Sequence, residues 1–255
     1  MNSSFFRVGV FAAAVGIGSA SAQVLVGPSP YLSFADSPFT GGSFSYFHLE
    51  NFEDSVSTPG WTVSPGWVRA LPSALTDSVD ADDGAIDGSG AAGSSLYSGN
   101  IASTLTITFD ASVLGALPTH VGIVWTDVGF SSPTNGFADI GFAAFDSANQ
   151  SLGVIGPFTL GDGSAFSATA EDRFFGVAFS GGIARIELTA FADGGGEEIA
   201  LAPGSTDWEV DHLQYGLASP TITAIPESST IGIFAAGALL LAACFRTRQG
   251  QSLRG

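Results

Sequence analysis

Asp80, Asp82, Asp83 and Asp87, in the stretch DADDGAID, bring four carboxylates together, and carboxylate oxygens are the ligands that calcium takes. Counted from Asp80 as a helix–loop–helix calcium loop, the obligatory glycine position holds Ala85 and the terminal glutamate position holds Ala91. The stretch therefore reads as a solvated acidic loop with weak attraction for calcium. Gly88 to Gly93 spells the G-x-G-x-x-G of dinucleotide sites, yet no hydrophobic strand precedes it and no helical pattern follows. Asp82, Asp83 and Asp87 would also repel a pyrophosphate, so the segment reads as a flexible loop.

Covalent catalysis finds little to work with. There is no G-x-S-x-G, no lysine and no H-E-x-x-H, and the three histidines (His48, His120, His212) lie far apart. His48 and His120 read as strand residues. A glycosidase needs only two carboxylates about 5–9.5 Å apart, which an acid-rich chain can supply without a motif. A secreted glycoside hydrolase on a β-sandwich is thus the alternative to a non-enzymatic protein. Among the aromatics, Trp61 and Trp67 in TPGWTVSPGW are the candidates for stacking on sugar rings, while Trp125 belongs in its hydrophobic strand.

The elements that must position these residues are strands. Glycine, serine, threonine and aspartate punctuate short β-branched and aromatic runs, with no sustained 3.6-residue period. In TLTITF, Leu105, Ile107 and Phe109 alternate with threonines, which predicts one buried and one wet face. FSYFHL (44–49), HVGIVWT (120–126), FADIGFAAF (137–145), FFGVAF (174–179), ARIELTAF (184–191) and DWEVDHLQY (207–215) are further strands. Many short strands in one domain predict an antiparallel β-sandwich. Residues 78–100, nearly devoid of apolar content, are expected to form a long surface excursion.

Both ends read as processing segments. Arg7 precedes the apolar run Val8 to Ile17, and Ala20-Ser21-Ala22 supplies the small residues at which signal peptidase cuts, between Ala22 and Gln23. At the other end Ile231 to Phe245 is almost wholly apolar and Arg246 and Arg248 follow, a short C-terminal anchor with its basic end toward the cytoplasm. All seven basic residues are arginines, and the chain carries a net charge of −17. Such a charge repels phosphate backbones, so nucleic acid is excluded as a partner, whereas cations, neutral glycans and basic proteins stay open. The one cysteine, Cys244, lies in the terminal apolar run, leaving the exported body without a disulfide or a thiolate metal site.

Pro226-Glu227-Ser228, the apolar span and the arginine pair, combined with the N-terminal signal, resemble the PEP-CTERM sorting segment of Gram-negative bacteria. Ser228 stands where that family usually has a second proline. The resemblance implies a membrane-held intermediate with a C-terminal helix in the inner membrane. It implies recognition by an exosortase-like enzyme, and a destination at the cell surface or in an exopolysaccharide matrix. VGIVWTDVG, FADIGFAAFDSANQSLG, FFGVAFSGGIARIEL and WEVDHLQYG resemble the jelly-roll ectodomains attached to such tails. In jelly-roll carbohydrate-binding modules a Phe-Glu near the first strand and acids in the last often hold a structural calcium. By that resemblance Glu53 and Asp211 would be ligands here, with Asp54 or Glu209 assisting, and His212 stands where a second aspartate is frequent.

The expected organisation is a signal peptide (1–22), an N-terminal extension (23–43), a jelly-roll-like β-sandwich (44–217), a linker (218–225), the sorting segment (226–249) and a tail (250–255). The expected protein is exported, non-enzymatic and exopolysaccharide-associated, either as a glycan-binding module or as a passive structural or adhesive component of the matrix.

Overall fold

The computed structural model describes residues 22–54, 56–70, 76–81, 85–86, 93–98, 104–128, 139–160, 171–191 and 208–220. The chain divides into Met1–Ala218 and Ser219–Gly255, and every described strand belongs to the first unit. Its described residues form twelve strands: β1 (Val24–Pro30), β2 (Phe44–Glu50), β3 (Trp61–Ser64), β4 (Trp67–Arg69), β5 (Ser95–Tyr97), β6 (Thr104–Phe109), β7 (His120–Asp127), β8 (Asp139–Phe145), β9 (Ser151–Thr159), β10 (Arg173–Ala178), β11 (Arg185–Phe191) and β12 (Glu209–Ala218). One short α-helix, α1 (Ala111–Leu114), and two 3-10 turns, Phe34–Asp36 and Val79–Ala81, complete the described elements.

Every pairing is antiparallel. One sheet runs β1-β10-β7-β12-β5-β4, with β2 also joined to β12, and the other runs β3-β6-β11-β8-β9. The two share one apolar core. Ile123, Trp125, Phe175 and Val210 of the first sheet meet Leu105, Ile107, Phe142 and Ile186 of the second. The alternation in TLTITF does what it predicts, burying Leu105, Ile107 and Phe109.

Strand β7 breaks the alternation because both of its faces are covered, so Val121 to Asp127 is buried throughout. The second cover is a smaller cluster of Tyr31, Phe39, Val79, Val124 and Phe174, with Phe44 and Phe47 against it. Residues 23–43 are therefore not an extension preceding the fold. They supply the edge strand β1, and Tyr31 and Phe39 seal the outer face of the seven-stranded sheet. Nor is 78–100 wholly a surface excursion, because Leu96 is in the main core and Ser94 to Ser98 are buried. Serine is the misleading residue: its hydroxyl makes it look wet, but here Ser95 donates to a buried Glu209 carboxylate.

The link between β3 and β4 carries the chain from one sheet to the other. Gly66 sits in it at φ +122, and a Cβ there would lie 2.9 Å from Tyr97 O and 3.0 Å from a methyl of Leu105. Gly66→Ala is expected to cost about 1–3 kcal/mol in urea unfolding. A loss under about 0.5 kcal/mol would mean that the crossover relaxes freely.

Candidate functional site

The acids of the last strand are arranged by a bulge. Asp211 pairs with Val124 but Gln214 pairs with Gly122, so β12 carries one extra residue. His212 takes it up at φ 46. The side chains of Val210, Leu213 and Tyr215 then all enter the main core. Asp211, His212 and Gln214 meet the covering segments on the other face.

There His212 Nε2 donates to Asp80 Oδ1 at 3.0 Å, and its Nδ1 pairs with the Tyr31 hydroxyl at 2.8 Å. Gln214 donates to the same hydroxyl at 2.9 Å and accepts from Ser37 Oγ. Asn51 donates to Asp80 at 2.6 Å. Burial opposes a charged imidazole, yet Asp80 and Asp211 outweigh it and raise the pKa of His212. The hydrogen bond from His212 in turn lowers Asp80. This chain of bonds fastens the 3-10 turn at Val79–Ala81 and the segment around Tyr31 to the sheet.

Glu53 and Asp211, which the resemblance would make calcium ligands, lie close together. Glu53 Oε1 lies 3.3 Å and Asp211 Oδ2 2.9 Å from the same atom, Ser78 Oγ. A hydroxyl has one proton to give, so the two carboxylates share a single donor. Asp211 also accepts from the N–H groups of Val79 and His212, and Glu53 from that of Ser94. Burial pushes the Asp211 carboxyl up to about 7, and a seated cation would act in the opposite sense. Gly93 completes the cradle, since a Cβ there would lie 2.8 Å from Glu53 Oε1.

Asp54 is exposed and caps the following turn through Val56 N. Glu209 is turned to another use: it pairs with Arg69 at 3.1 Å and accepts from Asp77 N and Ser95 Oγ. Among the described residues no group of three or more His, Cys, Asp or Glu side chains is arranged to hold a metal ion.

The two tryptophans do not form one platform. Trp61, in β3, packs against the main core and donates to Thr58 Oγ1. Trp67, in β4 of the other sheet, is half exposed and stands edge-on to Tyr97. Trp125 is wholly buried, as its strand predicts.

A cleft of about 270 Å³ opens instead between the segment after β2 and strand β4, lined by Glu50, Phe52, Val56, Ser57, Val68 and Ala70. Glu50 is 3% exposed, and neutral donors hold its carboxylate: Phe52 N at 3.0 Å, Thr58 N at 2.5 Å and Thr58 Oγ1 at 3.1 Å. No spacing in the sequence announces this cleft, because its walls come from two stretches joined only by the fold.

Gln23, before which the sequence predicts a cut, is exposed and immediately precedes β1. The rest of the expected signal segment, the acids Asp82, Asp83 and Asp87, and Pro226, Glu227, Ser228, Arg246 and Arg248, which the resemblance assigns to sorting, lie outside the described residues. Among the described residues no helix is long and apolar enough to cross a membrane. No protein family, curated protein or solved structure matches this chain.

Proposed function

We propose that the protein is an exported sandwich of jelly-roll type that serves at the cell surface or in an exopolysaccharide matrix, as a binding protein rather than a catalyst. The observation that carries the binding reading is the cleft: of the six described residues that line it, four are apolar and one is a carboxylate. General acid–base cleavage of a glycosidic bond calls for two carboxylates in opposed environments. Glu50 has no such companion among the described lining residues, and its hydrogen bonds make it a fixed acceptor.

Delivery rests on the two terminal segments. A cut before Gln23 leaves β1 at the very start of the processed chain, and the Pro-Glu-Ser segment with its apolar run and arginines is the handle for an exosortase-like enzyme. Fractionation of cells expressing the full chain and a chain ending at Ala218 tests this. The full chain is expected with the envelope or matrix and the shortened one in the medium. Equal retention of both would overturn the sorting reading.

Glu53 and Asp211 are proposed as the acidic half of a calcium site, with Ser78 Oγ between them. Calcium takes six to eight oxygens, so main-chain carbonyls and water would supply the remainder. A calcium concentration one hundred times Kd stabilises a folded state by about 2.7 kcal/mol. Chelator-treated protein should therefore gain several degrees in Tm on adding calcium, and Asp211→Asn should abolish the gain. An unchanged Tm in the parent protein would rule out a tight structural site.

A further inference from the structure

Glu50 raises a question that its hydrogen bonds do not answer. Its carboxylate is buried, yet the three groups bonded to it are neutral, and among the described residues it makes no salt bridge. A buried charge without a counter-charge is costly. An ionised carboxylate offers about four acceptor positions: Oε2 uses two, on Thr58, and Oε1 uses one, on Phe52 N. One acceptor position is left on a group that lines a cleft.

The surroundings define what should fill it. Phe52, Val56, Val68 and Ala70 give an apolar wall with one aromatic ring, and no cationic side chain is among the described residues that line the cleft. The whole chain, at −17, draws cations in and turns anions away. At about 270 Å³ the space falls just below the range of about 300–1,000 Å³ usual for drug-sized ligands, so it suits one ring. An ammonium group for the carboxylate, hydroxyls for Ser57 and an apolar C–H face for the wall describe a single molecule.

We propose that this cleft binds a hexosamine residue with a free amino group, as found in a deacetylated amino-sugar polysaccharide. The assignment rests on the matrix-binding reading and gives it a ligand class. The ammonium meets Glu50 Oε1 and the ring lies against Phe52 and Val68. An N-acetylated residue lacks the charge and brings added bulk, so the cleft discriminates against it.

Calorimetric titration of the full chain in mild detergent, at low salt, with a glucosamine tetramer, an N-acetylglucosamine tetramer and tetralysine tests the proposal. The glucosamine tetramer is expected to bind at least tenfold tighter than either other ligand. Val56→Lys places a cation at the mouth of the cleft on a residue that is 70% exposed, and should weaken that binding tenfold. Val154→Lys makes the same change of charge on β9, at the opposite edge of the five-stranded sheet from β3, and should leave it unaltered. Glu50→Gln should remove the preference for the free amine. Equal affinity for the acetylated tetramer, or no binding at all, would refute the assignment. So would equal weakening by both lysine variants, which marks diffuse charge attraction, and tighter binding of tetralysine, which marks a peptide site. None of these results touches the fractionation experiment, so ligand and delivery fail separately.

Discussion

Trp208→Ala is expected to destabilise the sandwich by about 3–5 kcal/mol and to lower Tm by about 10 °C. Trp208 and Trp125 are both fully buried, with ring centroids 4.8 Å apart, and both belong to the core shared by the two sheets. Removing one indole leaves a cavity that the other ring cannot fill without leaving its own site. Neither indole N–H has a hydrogen-bond partner among the described residues, so packing rather than polarity carries the effect. Trp208→Phe should accordingly recover more than half of the loss. Chemical unfolding followed by circular dichroism gives both values, and a phenylalanine variant as weak as the alanine one would show that the N–H is the important atom.

Arg69→Met should cost a similar amount, about 3–5 kcal/mol, because it removes the cation paired with the buried Glu209 carboxylate. The carboxylate is completely buried and Arg69 lies 3.1 Å from it, with the guanidinium 3.6 Å above the Tyr97 ring. Glu209 also holds Asp77 N and Ser95 Oγ, so β4, β5, β12 and the segment before Val79 meet at one charge. Arg69→Lys keeps the charge but gives up the flat stacking surface, and should fall between the parent and the methionine variant. Arg69→Met combined with Glu209→Gln removes both members of the ion pair, and the double variant should be more stable than Arg69→Met alone. A double variant as unstable as the sum of the two single changes would mean that the pair is not coupled.

How much of the fold is legible along the chain depends on how strictly hydropathy tracks burial. Thr104–Phe109 is legible because one face is wet and the other dry, and each residue declares its side. Strand β1 is hidden because it carries Gly27, Pro28 and Pro30, which only an edge strand accommodates. Strand β5 is hidden because serine hydropathy does not reveal a hydroxyl satisfied inside the protein. The bulge in β12 does leave a trace, since the core residues Val210, Leu213 and Tyr215 are spaced by three and then two where a regular strand repeats by two. Glu53 and Asp211 are picked out by resemblance alone, and their meeting at Ser78 needs β12 and the 3-10 turn to be placed together. Trp61 and Trp67 lie close in sequence but on different sheets, a separation that the crossover at Gly66 imposes and that proximity along the chain conceals.

On the proposed glycan-binding reading, the covering of the seven-stranded sheet by Tyr31, Phe39 and Val79 bears on how a polymer would be gripped. A sheet face left open would offer a bed on which successive sugars of a glycan could lie, each ring on its own strip of surface. Here that bed is already occupied by the chain itself, and the cleft beside Glu50 has room for a single unit. Contact with a polysaccharide would then be made one sugar at a time, and firm attachment to a matrix would come from many copies each pinning one point.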